Sequence, residues 1–244
     1  PDPAAEAKAL PSWSASSRQD ASPVRPLTDF MDLGRIFATP HSANDVAQIW
    51  IAYHAAKTGG TGRGFVAAVV PVAAYEQLLA SASQFAAFVL PLKRAGTLAD
   101  SSSSDQGGHE FYYLEWAQYD APRRLDSVGT EGKASPRIST AIFTSLAEYK
   151  LRQDFAQPHL ALTFHTELAR SHGLVLMRGE LTPSIAGADS FLLTQEDAQT
   201  LCVLMQKFYL PTMQNDARCN LLRTFHTHPA EFKWEELVEQ SALY

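Results

Sequence analysis

The sequence predicts an α+β fold: one mainly antiparallel, or mixed, sheet flanked by helices, with an irregular N-terminal arm. Three observations carry this. Short apolar runs at Gly64–Val70, Phe85–Leu90, Ile138–Phe143, His159–Phe164 and Leu174–Met177 sit beside Gly or Pro. Other segments, around Val46–Tyr53 and Leu201–Phe208, repeat apolar residues at helical spacing. Finally, Phe85–Leu90, Glu110–Gln118 and Ile138–Phe143 succeed one another with loops but no helix between them. Parallel neighbours would need crossovers, so antiparallel pairing is expected.

Taken in order, residues 1–28 mix Ala, Ser, Pro and both charge signs (Asp2, Glu6, Asp20) and read as a weakly structured arm. Leu10 or Trp13 would hold it wherever one finds a groove. The chain opens on Pro1 and not Met, so a segment upstream is expected to have been removed or left out. What remains lacks the amphipathic, Arg-rich pattern of an import segment. Residues 29–244 read as a single α+β domain. Thr39-Pro40 offers an N-cap followed by a proline at the first helical position, and Gly59-Gly60 ends that helix. Gly64–Val70 is a strand closed by Pro71, which opens a helix to about Ser81. After the strand Phe85–Leu90, Thr97–Gly108 is a Ser/Gly-rich excursion. Glu110–Gln118 alternates so that one face would be solvated. A second excursion, 120–137, carries Pro122, Gly129, Gly132 and Pro136. Thr144 can cap a helix over Ser145–Leu151, and Gly173 ends a turn over Thr166–His172. Thr194 caps a helix bearing Leu201, Leu204, Met205 and Phe208, and Pro229 begins a last helix through about Glu239.

Composition bounds the function. The chain has 244 residues, 45% hydrophobic and 19% charged, which suits a globular protein and not a disordered one. A net charge of −6, with no Lys/Arg run longer than two residues, argues against a nucleic-acid partner. No uninterrupted apolar run approaches the ~20 residues that cross a bilayer, so membrane insertion is not expected. Two cysteines, Cys202 and Cys219, suit a reducing compartment.

Catalytic chemistry is hard to assemble from this chain. His226-Thr-His228 would place two imidazoles on one face of a strand, but no third metal ligand follows at a matching spacing. His172 stands at the wrong offset from His165 and Glu167 for H-E-x-x-H, and no serine sits in G-x-S-x-G. The run Gly59–Gly64 lacks the Lys of a phosphate loop and precedes a strand instead of following one. Neither a metal nor a cofactor is expected, and no small-molecule substrate. The enzyme alternative would recruit His165, Glu167, Asp154 and Glu180 around a cleft. A partner-binding alternative is available on the strand 110–118. If its Tyr112, Leu114 and Trp116 face were solvated, it would form an apolar patch of the kind that marks a protein partner.

Six segments in register then suggest a family. They are Asp45–His54, Phe88–Leu92, Phe143–Lys150, Gln157–His159, Gly173–Met177 and Gln206–Tyr209. Together, over about Phe30 to Val238, the chain resembles the mitochondrial ATP synthase assembly factors that chaperone the beta subunit of the catalytic head. It departs from them in the loops 97–108 and 128–137 and at His165-Thr166. The resemblance implies a mitochondrial matrix protein without enzymatic activity. It would bind the unassembled beta subunit, prevent its aggregation and hand it to the alpha subunit, without ATP of its own. The partner-binding residues expected on this reading are Phe88, Leu90 and Leu92 at one strand end. With them come Phe143, Leu146, Glu148, Tyr149 and Lys150 at a strand-to-helix corner, where Phe88 and Tyr149 would be anchors and Glu148 and Lys150 rim charges.

Overall fold

Short, largely buried strands build the sheet. In a computed structural model, which describes residues 24–39, 41–94, 108–120, 135–187, 190–210 and 216–242, six strands form one sheet. They are β1 (Phe65–Pro71), β2 (Ala87–Lys93), β3 (His109–Tyr119), β4 (Ile138–Ser145), β5 (Leu160–His165) and β6 (Leu174–Leu181). The spatial order is β1-β6-β5-β4-β3-β2 and every pairing is antiparallel, as the helix-free run of strands requires. Most of the arm (residues 1–23, with Leu10 and Trp13) and most of both excursions lie outside the described residues.

Among the described residues eight α-helical segments accompany the sheet: α1 (Leu33–Ala38), α2 (Ala43–Ala55), α3 (Lys57–Gly60), α4 (Val72–Gln84), α5 (Leu146–Arg152), α6 (Gln195–Tyr209), α7 (Ala217–Thr227) and α8 (Trp234–Ser241). One sheet face meets α4, α6, α7 and α8. Phe88, Leu114, Phe143, Leu162 and Met177 interlock there with Tyr75, Leu204, Phe208 and Leu237. Alternate residues of β6 point the other way. Leu174 and Leu176, with Ala67 and Val69 of β1, join Leu27, Ile36, Val46, Trp50 and Leu168 in a second, smaller core. The indole Nε1–H of Trp50 donates to the carbonyl oxygen of Met177 at 3.1 Å and fastens α2 to β6. Fully burying each such side chain contributes about 1.5–3 kcal/mol, so the larger core dominates the energetics.

Several local expectations are corrected. Thr39 does not start a helix; it ends α1, which the punctuation did not reveal. Ser42 caps α2 because it closes a capping box with Asp45: the Asp45 amide donates to Ser42 Oγ at 3.1 Å, and the Ser42 amide donates to Asp45 Oδ2 at 2.8 Å. Ser145, not Thr144, immediately precedes α5; it also closes β4, paired with Tyr112, and its side chain makes no cap hydrogen bond. The last helix is two pieces, a 3-10 turn at Pro229–Glu231 and then α8. His226 lies in the last turn of α7, not on a strand, and its Nδ1–H donates to the Leu222 carbonyl, leaving no shared strand face with His228. Gly59-Gly60 does end the α2 region, through left-handed φ at Thr58, Gly59 and Gly60. Thr194 caps α6 as expected, accepting from the Asp197 amide at 3.1 Å.

Candidate functional site

The corner that follows β4 is built by a register and a ring. The β3–β4 ladder runs to the pair Tyr112–Ser145, and α5 then folds back so that Tyr149 stacks on Tyr113, ring centroids 4.5 Å apart. Glu148 and Arg152, four residues apart on α5, form an ion pair at 3.2 Å. Gln153 then takes φ 51°, a left-handed conformation that costs a non-glycine residue of the order of 1 kcal/mol. The 3-10 turn Gln153–Phe155 completes the knuckle.

This geometry redistributes the expected contact residues. Phe88, Leu90 and Phe143 are 0% exposed and Leu92 is 2%, so these four belong to the core and no partner can reach them in the folded chain. Leu146, Glu148 and Tyr149 are half-buried and Lys150 is exposed. The prominent side chains are two that sequence reasoning passed over: Leu151, 77% exposed, and Phe155, 89% exposed. Their signal was present as two large apolar residues four apart in the otherwise polar stretch Lys150-Leu-Arg-Gln-Asp-Phe155. The face Tyr112, Leu114 and Trp116 does not form a surface patch, since all three are buried under the helices.

A cavity of about 280 Å³ opens on the other sheet face, lined among others by Phe30, Thr140, Thr163, His165, Arg178 and Glu180. Arg178 is held between Phe30 and Phe65, its guanidinium carbon 4.3 and 4.8 Å from the ring centroids. Its Nε–H donates to Glu180 Oε1 at 2.7 Å. His165 is 1% exposed and neither ring nitrogen has a hydrogen-bond partner among the described residues. Burial, with the positive charge of Arg178 beside it, pushes its pKa down to about 4, so the ring is neutral.

Of the residues an enzyme would recruit, only His165 and Glu180 come to this cavity. Glu167 turns away: its Oε1 accepts from the Leu27 amide at 3.1 Å, and burial raises its pKa. Asp154 stands exposed on the knuckle after α5. No carboxylate among the described residues hydrogen-bonds His165. Among the described residues no three His, Cys, Asp or Glu side chains converge to hold a metal. Cys202 is buried, which lifts its thiol to about 12 and keeps it protonated. No described helix is long and apolar enough to cross a membrane.

Together these features define an α+β protein on one antiparallel sheet, with bare apolar side chains at one corner and a cavity whose histidine no carboxylate activates. The chain belongs to the ATP11 protein family, whose sequence profile matches residues 1–238. That membership bears out the resemblance carried by the six segments. The chain is also 27% identical over 183 residues to the mitochondrial protein atp11 of Schizosaccharomyces pombe. The match covers 75% of this chain and 50% of the yeast protein, so the chain spans about half the length of that curated relative.

Proposed function

We propose that this chain is an assembly chaperone of mitochondrial ATP synthase that works in the matrix. It binds the unassembled beta subunit of the catalytic head, keeps it from aggregating and yields it to the alpha subunit. Residues 29–244 act as one chaperone domain. Membership of the ATP11 family supports the reading. The observation that carries the contact surface is the pair Leu151 and Phe155, 77% and 89% exposed on a knuckle braced by the Tyr113–Tyr149 stack.

The physical logic is passive. An orphan subunit exposes an apolar face meant for its neighbours, and such faces aggregate. A holder that covers that face lowers the concentration of the sticky species by mass action and needs no nucleotide. Release follows when the proper neighbour makes a larger, better-packed interface over the same surface. Leu151 and Phe155 supply the apolar contact, and Glu148, Lys150 and Arg152 supply a charged rim.

Co-purification of the chain with separately expressed beta and alpha subunits tests this. Capture of beta alone is expected, and the double substitution Leu151→Ser, Phe155→Ser weakens it about tenfold or more, the scale of an interface hot spot. The melting temperature stays near that of the unsubstituted chain, because both side chains are in solvent already. Equal capture of both subunits, or of neither, removes the reading.

A further inference from the structure

The two edges of the sheet are built differently. In an antiparallel strand the N–H and C=O of one residue point the same way, and those of the next residue point oppositely. The Leu181 amide donates to the Gly64 carbonyl at 2.9 Å, which fixes Gly64, Val66, Ala68 and Val70 as facing β6. Phe65, Ala67 and Val69 therefore face outward. Gln195 covers the start of this edge: its Nε2–H donates to the outward Phe65 carbonyl at 2.6 Å, and its Oε1 accepts at 3.3 Å from the amide of Gly64, which the φ of +85° just before β1 turns away from its own carbonyl. At the other end, Pro71 shares the outward phase and has no N–H to offer. Between these two stops the backbone groups of Ala67 and Val69 have no hydrogen-bond partner among the described residues.

The opposite edge is closed. The Trp116 amide donates to the Ala86 carbonyl, so Ala87, Val89, Pro91 and Lys93 are the outward residues of β2. Pro91 removes a donor at mid-edge and Lys93 adds a charge. On β1 the proline, Pro71, stands at the strand end and not at mid-edge, and no charge is present in its sequence, FVAAVVP. Beside β1 an apolar groove of about 470 Å³ runs along α2, lined by Ala47, Gln48, Ile51, Ala52 and Val69.

We propose that the β1 edge captures an extended, apolar segment of the client, which adds as a seventh strand at Ala67–Val69 and seats a side chain against Ile51 and Val69. The occupant's chemistry follows from the edge: four backbone hydrogen bonds are on offer, and no charged side chain lines the edge or the groove. A second copy of the chain is the poorer occupant, because the net charge of −6 makes two copies repel. The identity of the client rests on the assembly reading above; the edge itself does not.

Amide hydrogen exchange on the full chain, free and with the beta subunit, tests this. The Ala67 and Val69 amides exchange fast in the free chain. In the complex they slow by about tenfold or more, as hydrogen-bonded strand amides do. Ala67→Pro and Val69→Pro each delete an outward donor while sparing the β6 ladder, and each weakens capture by about tenfold. Capture with no slowing at Ala67 and Val69 overturns the edge proposal and leaves the assembly reading standing. Absence of any capture overturns both. Slowing that grows with the concentration of the free chain makes a second copy the occupant and overturns the proposal.

Discussion

Tyr149 lies on Tyr113 with ring centroids 4.5 Å apart and planes 29° from parallel. The contact joins the middle of α5 to an otherwise half-exposed residue of β3, so it fixes the angle at which the knuckle leaves the sheet. Tyr149 is therefore a brace, and not the free anchor that its place in the sequence suggested. Removing it by Tyr149→Ala costs about 0.5–1.5 kcal/mol of stacking beyond its lost area. A melting temperature lowered by a few degrees, together with weaker beta-subunit capture, is the expected result. Capture reduced with no thermal change would instead make Tyr149 a contact residue.

Phe88 behaves in the opposite way. Its ring is 0% exposed and lies 5.2 Å from Phe208 and 5.4 Å from Phe225, centroid to centroid. Phe88→Ala empties the centre of the larger core and destabilises by about 3–5 kcal/mol. Urea unfolding monitored by circular dichroism gives the value directly, and any loss of client capture tracks the unfolded fraction.

Stability is expected to fall with acidity, with His165 a principal cause. Its pKa is about 4 in the folded chain against an ordinary 6.5. Between these values the unfolded chain binds a proton that the folded chain refuses, so stability drops as pH falls from about 6.5 to about 4 and levels off below. The loss is on the order of 3 kcal/mol for a shift of this size. Burial lowers the pKa of His54 and His159 as well, with the same sign. Burial raises Glu167, which acts oppositely: its contribution is present at low pH and is lost as pH rises through its folded pKa. Urea midpoints measured from pH 7.5 to 4.5 decline, and His165→Phe flattens the decline. A slope unchanged by that substitution would clear His165 of the effect.

Gly64 is a position where only glycine fits. It has φ +85°, and a Cβ there would stand 2.4 Å from the Phe191 ring. Gly64→Ala should cost about 2–4 kcal/mol from the strained backbone and the clash together. Pairing it with Phe191→Ala relieves the clash but not the strain, so a double-mutant cycle in urea recovers part of the loss.

Where hydrogen-bonding direction is set locally, the sequence was readable. The helix-free succession before β3 and β4 carried the antiparallel order, and Thr194 and Gly173 marked real boundaries. The corner at Phe143–Lys150 was found, but its depth was not. Whether Phe88 and Phe143 face solvent depends on α6 and α7, which arrive from more than 50 residues away in the chain and leave no trace in local periodicity. The same distance hid the face of Tyr112, Leu114 and Trp116. The six-residue helix α1 escaped because it is too short to repeat a pattern, and Ser42 outcompeted Thr39 through a carboxylate three residues on.

Pro91 has a consequence for the molecule in a crowd. A sheet that can be extended at both edges is a link, since each copy that adds presents a new edge and the chain of copies has no natural end. With Pro91 and Lys93 obstructing β2, strand addition at the proposed β1 edge would leave one receptive edge and one blind one. Such a protein would accept a sticky strand without offering its own far edge to another. Among aggregating strands it would act as a terminator.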